Sequence, residues 1–183
     1  LSSRRQRQMC IRDRARGGNT SRNKPHYRGN CKKFKIKMLR SDKIELFKEE
    51  TIKFNKKHNL ISKNNPGKII DEAIEEATTL TKHLKRYRNI LDIGTGGGLP
   101  GIPLAIFNEN KNIYLSEKNN KKNYHLKKII KLLEIKNAKI VGGFNKNTKI
   151  GKKVDCVVTK AFASTKKTIN LTNSFLEKPF TLM

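Results

Sequence analysis

The sequence predicts an α/β protein with a mostly parallel sheet that is covered by helices on both faces. Short apolar runs alternate with amphipathic stretches from residue 89 onward, which is typical of parallel strands joined by helices. The first run passes directly into closely spaced glycines and then a helix, an arrangement that places a ligand at the carboxyl end of a strand. The predicted strands are NILDI (89–93), NIYLSE (112–117), AKIVG (138–142) and VDCVVT (154–159), and the helices that follow them are predicted at 101–108, 119–134 and 164–176.

Two further helices are predicted before the first strand. The segment 42–57 has apolar residues at helical spacing, and Asp42 and Glu45 stand three positions apart, as in a capping box. A break rich in asparagine, proline and glycine follows. The segment 68–84 then repeats apolar residues on one helical face, which makes it the clearest predicted helix.

The chain is strongly basic. It has 42 lysine and arginine residues against 15 acidic ones, a net charge of +27. A charge of this size favours polyanionic partners, above all nucleic acid, although a genome biased toward lysine would also produce it. The sequence has no apolar run of about 20 residues and no signal-peptide pattern, so we expect a cytoplasmic protein without a membrane segment.

Composition divides the chain into three predicted segments. Residues 1–37 hold eight arginines and no hydrophobic periodicity, so they cannot bury enough apolar surface to fold. This block is interpreted either as a disordered basic arm that grips RNA phosphates or, preferably, as a non-native extension ahead of Met38. Residues 38–85 are predicted as an N-terminal helical segment and residues 86–183 as the ligand-binding core.

The glycines after the first strand carry the strongest chemical signal. Gly94, Gly96 and Gly98 lack a Cβ atom, so the backbone can turn tightly and approach a ligand there. A dinucleotide site uses the spacing GxGxxG to hold a pyrophosphate, whereas this chain reads GxGxG after a strand that contains Asp92. The spacing favours S-adenosylmethionine, which has no phosphate, and Asp92 can accept hydrogen bonds from turn amides or from a cofactor amine.

A second acidic residue follows at the end of the next predicted strand. Glu117 can accept hydrogen bonds from both ribose hydroxyls of a nucleoside, although a solvated carboxylate with no such role would look the same in sequence. The helix 119–134 is basic and amphipathic, and Tyr124 is expected on its apolar side. Its first lysines oppose the helix dipole, which suggests an anionic partner or a simply solvated face.

These residues resemble a known family. NILDIGTGGGLPGIPLAI (89–106) is similar to the first motif of the bacterial 16S ribosomal RNA guanine-N7 methyltransferases, also called the glucose-inhibited division protein B family. KKHNLIS (56–62) and VDCVVTKAFAST (154–165) resemble two further motifs of that family in the same order, so the resemblance covers roughly residues 42–183. It implies a Rossmann-like fold of the class I S-adenosylmethionine-dependent methyltransferases, and a monomer that acts on 16S ribosomal RNA in the small ribosomal subunit.

The resemblance also implies cofactor contacts at particular positions. Carried over, these contacts fall on Gly94, Leu99, Asn145, Lys146 and Lys160. The last three depart from the family pattern, and Lys160 replaces an arginine whose planar fork a lysine lacks. The helix 68–84 reads DEAIEEA where the family usually has Arg-His and Asp-Ser, which puts its role in RNA docking in doubt. The family's remaining strands are not found before Met183, so we expect a truncated reading frame without its C-terminal strands.

The implied reaction needs no general base. Guanine N7 has a free lone pair and loses no proton on methylation, so we expect orientation to drive catalysis and no catalytic side chain. The four histidines have no evident partner, and the three cysteines have no metal-ligand spacing, with Cys156 expected as a small buried residue. The alternatives are a methyltransferase for another RNA or a protein, and a non-catalytic basic RNA-binding fragment. The lysines expected to contact RNA are Lys118, Lys121, Lys122, Lys127 and Lys128.

Overall fold

A computed structural model describes residues 38–145, 148, 150–160, 162–163 and 165–172. The predicted segment 1–37 and the end of the last predicted helix therefore lie outside the described residues. The elements, in chain order, are α1 (Arg40–Asn55), α2 (Pro66–His83), β1 (Asn89–Ile93), α3 (Gly101–Phe107), β2 (Asn112–Ser116), α4 (Asn120–Leu132), β3 (Ala138–Gly142), β4 (Cys156–Thr159) and α5 (Thr165–Thr172).

The described strands form one sheet in the order β3-β2-β1-β4, and every neighbouring pair is parallel. Residues Asn89 to Ile93 of β1 pair in register with Asn112 to Ser116 of β2. Because the strands are parallel, their carboxyl ends meet at one edge, and the segment after β1 lies between the ends of β2 and β4. The predicted α/β class with a parallel sheet is confirmed.

The main hydrophobic core lies between one face of this sheet and helices α1 to α4. Each helix contributes fully buried side chains, such as Phe47 from α1 and Ile70 from α2, which join Ile90 of β1. The opposite face has a smaller cluster around Leu91 and Ile93, packed by residues of β2, β3, β4 and the loop between β3 and β4. The predicted helical cover is therefore confirmed on the first face and stays a prediction on the second.

Asparagine side chains start two of the helices. Asn65 adopts a left-handed conformation and accepts the backbone N–H of Lys68, which satisfies a free donor at the start of α2. Asn119, in an extended conformation, accepts the N–H groups of Lys121 and Lys122 at the start of α4. Helices α2 and α4 begin within two residues of their predicted starts.

The predicted capping box of α1 is wrong. The helix begins at Arg40, and the preceding Leu39 makes no side-chain cap. Asp42 therefore lies inside the first turn, where its negative charge complements the helix dipole instead of closing a box with Glu45.

The predicted position of Tyr124 on the apolar side of α4 is also wrong. Its side chain is 66% exposed, while His125 and Leu126 are fully buried. His125 Nε2 lies 3.3 Å from Thr51 Oγ1 of α1, so this histidine has a partner that the sequence did not reveal. Burial is the main cause that lowers the pKa of His125, to about 4, so it is a neutral packing residue.

Ion pairs connect α1 to α2 and α1 to α4. Lys48 Nζ of α1 lies 2.6 Å from Asp71 Oδ1 of α2, and Lys128 Nζ of α4 lies 2.5 Å from Glu50 Oε2 of α1. The Lys128 hydrogen bond is the largest influence on Glu50 and lowers the pKa of that carboxyl. Among the helices that the structure describes, none is both long enough and apolar enough to cross a membrane.

Candidate cofactor site

The glycine turn, residues 94–98, connects β1 to the segment before α3. Gly94, Gly96 and Gly98 have φ values of +74°, +58° and +94°, a region that side chains with a Cβ atom rarely adopt. The N–H groups of Gly94 and Thr95 both donate to the carbonyl oxygen of Ser116, at 2.9 and 3.0 Å. The end of β2 therefore holds the turn against the sheet.

Asp92 fixes the other end of this turn. Its side chain is fully buried, and Oδ2 accepts the N–H of Gly101 at 2.9 Å, at the first residue of α3. Its Oδ1 atom makes no hydrogen bond to any of the described residues. Burial raises the pKa of Asp92 to about 7, with the charge of Glu117 adding to the rise and the nearby Thr95 hydroxyl and the Gly101 amide opposing it. The amide that Asp92 contacts belongs to α3, so its predicted contacts with the amides of the glycine turn and with a cofactor amine stay predictions.

Glu117 reaches back from the end of β2 onto the turn. Its Oε2 accepts the N–H of Gly96 at 3.2 Å, and its Oε1 accepts the N–H of Asn119 at 2.7 Å. The Asn123 side chain donates to its backbone carbonyl at 2.9 Å. Glu117 is only 7% exposed, so the alternative of a solvated strand-end carboxylate is wrong.

Close packing favours glycine at Gly94 and Gly101, as it also does at Gly98, where an ideal Cβ would lie 2.6 Å from Ile102 Cγ1. An ideal Cβ on Gly94 would lie 2.6 Å from Cδ2 of Phe162, whose ring covers this end of the turn. A Cβ on Gly101 would overlap Leu115 of β2 and Asp92, because α3 begins directly against the sheet. A Cβ on Gly96 would meet its nearest neighbours at 3.8 Å, an ordinary van der Waals distance, so it is the φ of +58° that favours glycine at this point. Phe162 was quoted in a sequence motif but was assigned no role there.

The loop after α1 packs against the glycine turn. Leu60 and Ile61 pack against Gly97, where an ideal Cβ would lie 3.5 Å from Leu60 Cβ and 3.4 Å from Ile61 Cγ2. The buried side chain of Asn55 accepts the N–H groups of both residues, at 2.9 and 3.2 Å. The KKHNLIS segment is therefore part of the site, a position that sequence order alone did not indicate.

The remaining predicted site residues are less closely gathered. Leu99 is almost buried in the core and donates its N–H to the carbonyl of Thr95 at 2.9 Å, so it belongs to the turn through its backbone. Asn145 is exposed in the loop after β3 and donates its N–H to the Thr148 hydroxyl at 2.8 Å. Lys160 follows β4, and its Nζ lies 2.7 Å from Glu76 Oε2 of α2. Lys146 lies outside the described residues.

Two concave surfaces formed by the described residues carry opposite charge. The acidic cleft, of about 740 Å³, lies between α2 and the end of β4, and its lining includes Glu72, Glu75, Glu76 and Lys160. The basic pocket, of about 340 Å³, lies between the loop after α1 and the start of α4. Its lining residues are Lys57, His58, Asn59, Leu60, Lys63, Asn119, Lys121 and Lys122.

Cys156 illustrates a residue that sequence interpretation placed correctly. It is buried in β4, and burial raises the pKa of its thiol to about 12, which makes it an inert packing residue.

The sheet order and the glycine turn at its central strand together define the Rossmann-like fold of the class I S-adenosylmethionine-dependent methyltransferases. A solved structure agrees with this class. The N-terminal domain of EvdMO1, crystallised in the presence of SAH and D-fucose, matches with a TM-score of 0.50 at 13% identity, over 60% of this chain and 49% of that chain. At this identity the similarity shows the fold alone.

Sequence comparison identifies the family. Residues 40–183 match the GidB family, described as rRNA small subunit methyltransferase G, and the chain belongs to this family. The ribosomal RNA small subunit methyltransferase G of Nitrosomonas eutropha is 31% identical over 75% of this chain and 64% of its own length. The protein of the same name from Shewanella putrefaciens is 37% identical over 61% of this chain and 54% of its own length. The chain thus spans about half to two thirds of the curated relatives it matches.

Proposed function

We propose that this chain binds S-adenosylmethionine at the glycine turn and transfers its methyl group to N7 of a guanine in 16S ribosomal RNA. The observation that carries the proposal is the hydrogen bond from Gly96 N–H to Glu117 Oε2, because it brings the acidic end of β2 onto the turn that follows β1. Membership of the rRNA small subunit methyltransferase G family supports the acceptor. A ribosomal substrate also implies work in the cytoplasm, and we propose a monomer.

The residues present fit this cofactor. Gly96 has no side chain between its backbone and a ligand, so the turn can be approached closely at this residue. A carboxylate has about four acceptor positions, and Glu117 uses two of them for Gly96 and Asn119. The others are free to accept the two ribose hydroxyls of an adenosyl group. Gly142, at the end of β3, has nothing within 4 Å of an ideal Cβ, which leaves room for the base.

The cofactor, when bound, supplies a methyl group already activated by a sulfonium. The chain's own residues would act by holding and orienting. Asp92 locks the turn to α3, Glu117 would hold the ribose, and Phe162 would border the reacting end beside Gly94. Guanine N7 attacks with a lone pair and releases no proton, so the role left to the protein is alignment of the two reactants.

Lys160, Asn145 and Lys146 remain proposed contacts that come from the family resemblance. Lys160 forms an ion pair with Glu76. To contact the cofactor, its ammonium group would have to bind Glu76 and the cofactor together or break the pair with Glu76. Asn145 follows β3, and its backbone carbonyl accepts the N–H of Thr148 at 3.0 Å.

Methyl transfer to isolated small ribosomal subunits tests the proposal. The 183-residue chain should incorporate label from S-adenosylmethionine into subunits that lack the modification, at about one methyl group per subunit. Nucleoside digestion and mass spectrometry should identify N7-methylguanosine. Subunits that already carry the modification serve as the control and should take up no label. Transfer to another base, to a protein, or to both kinds of subunit equally would contradict the proposed acceptor.

A further inference from the structure

We propose that the basic pocket binds a backbone phosphate of the RNA substrate, close to the nucleotide that reacts. The identity of the RNA rests on the proposed function. The pocket itself is formed by two segments that lie far apart in the sequence. Lys57 and Lys63 come from the loop after α1, and Lys121 and Lys122 come from the first turn of α4.

The pocket concentrates positive charge without compensation. No residue that lines it is acidic, and the same holds for the adjoining groove of about 500 Å³ that shares Lys63 and Lys122. Among the described residues, none of the four lysines has an ion pair, whereas Lys48, Lys128 and Lys160 each contact a carboxylate. Four like charges around one concave surface repel one another, and a bound anion removes that repulsion.

The donors that remain free in the pocket suit phosphate oxygens. The Asn119 side chain already accepts the N–H groups of Lys121 and Lys122, so the backbone amides at this helix start are occupied. The ligand would therefore be held by ammonium groups, which donate up to three hydrogen bonds each and bind phosphate as point charges. S-adenosylmethionine has no phosphate, so the anion belongs to another molecule.

The position of the pocket points to the RNA backbone near the target base. Lys122 Nζ lies 4.0 Å from an ideal Cβ on Gly96, so the pocket borders the turn that would hold the cofactor. The acidic cleft, whose lining includes Pro100 just after the turn, disfavours phosphate. An RNA strand that presents a base at this turn would consequently place its backbone on the side of the basic pocket.

The experiment compares two pairs of exposed lysines. One variant is Lys57→Ala/Lys121→Ala, within the pocket, and the matched control is Lys131→Ala/Lys136→Ala, which removes the same charge from the end of α4 and the segment after it, outside the pocket. Binding to small ribosomal subunits that lack the modification is measured over a series of KCl concentrations. The pocket variant should reduce the slope of log affinity against log salt by about 1, and the control should change it by less than half as much.

Calorimetry with S-adenosylmethionine separates this proposal from the proposed function. Both variants should keep the cofactor affinity and the thermal unfolding temperature of the unmodified chain. Equal slope changes in the two variants, or no binding of subunits by the unmodified chain, would overturn the phosphate pocket. A chain that shows the pocket-specific slope but does not bind the cofactor would instead refute the methyltransferase proposal and leave the pocket standing.

Discussion

Asp92 shows how a buried carboxylate can serve the site without touching a ligand. Its Oδ2 joins the end of β1 to the first amide of α3, so it determines where the glycine turn ends. The carboxyl group of Asp92 is fully buried in this arrangement, and burial disfavours its charged form. The free energy of unfolding should therefore depend on pH.

The stability of the chain should therefore fall as pH rises from about 4 to about 7. The pKa of Asp92 is raised from its ordinary value of 3.8 to about 7 in the folded state, so between these values the folded chain holds a proton that the unfolded chain has lost. This group can contribute a slope of up to about 1.4 kcal/mol per pH unit, and its stabilisation is lost above pH 7.

Urea unfolding at a series of pH values measures this contribution. Asp92→Asn keeps an oxygen that can accept the Gly101 amide but does not titrate. The unfolding free energy of the variant, relative to the unmodified chain, should rise between pH 4 and pH 7 and then stay level. Parallel pH profiles for the two proteins would show that Asp92 is not the titrating group.

Sequence position predicted which residues form the site better than it predicted their contacts. Glu117 was expected at the end of the second strand as an acceptor for ribose hydroxyls, and it directly follows β2 and contacts the turn, while its role toward a ribose stays a prediction. Phe162 against Gly94 and Thr51 against His125 join residues far apart in the chain, so no local pattern reports them. Lys128 was expected to contact RNA, but it is paired with Glu50 across two helices.

At the scale of elements, the loop between α1 and α2 has the most specific role. Asn55, the last residue of α1, accepts two backbone amides of this loop and holds Leu60 and Ile61 against the glycine turn. The same loop supplies Lys57 and Lys63 to the basic pocket. One buried amide side chain thus positions both a wall of the site and half of the pocket's charge.

Asn55→Ala should lower the free energy of unfolding by about 1–3 kcal/mol, because it leaves two amides of the loop without an acceptor. Urea denaturation measures the change. The control, Asn64→Ala, removes an exposed asparagine from the same connection and should stay within about 0.5 kcal/mol. Equal effects of the two substitutions would mean that Asn55 does not hold the loop.

Helical periodicity predicted the positions of the helices well. It failed to predict which side chains of α4 are buried, because an aromatic residue there is exposed and a histidine is buried. The segments 68–84 and 119–134 were found because their apolar residues repeat on one face, and the structure adds an asparagine cap at each start. On α4 the aromatic Tyr124 was expected inside, yet His125 is the buried neighbour. Thr51 and Phe54 of α1 surround this histidine, and only the packed structure supplies them.

At the scale of the whole molecule, the described residues form two clefts of opposite charge. The net charge of +27 predicted a polyanionic partner, but it could not show that three glutamates line one cleft and four lysines without an ion pair among the described residues line the other. That separation depends on how α1 and α2 pack against the core, through contacts such as Lys48 with Asp71. A count of charged residues does not report where in the structure those residues lie.

Titration of S-adenosylmethionine into the chain and two glycine variants is the most direct test of the central claim. Gly94→Ala forces a Cβ into Phe162 and keeps a left-handed φ that costs roughly 1–2 kcal/mol. Gly67→Ala, in the first turn of α2 with nothing within 4 Å, is the control. The unmodified chain and the control should bind one cofactor with similar affinity, and Gly94→Ala should bind at least about tenfold more weakly. Equal binding by all three, or none by the unmodified chain, would contradict the assignment of the glycine turn as the cofactor site.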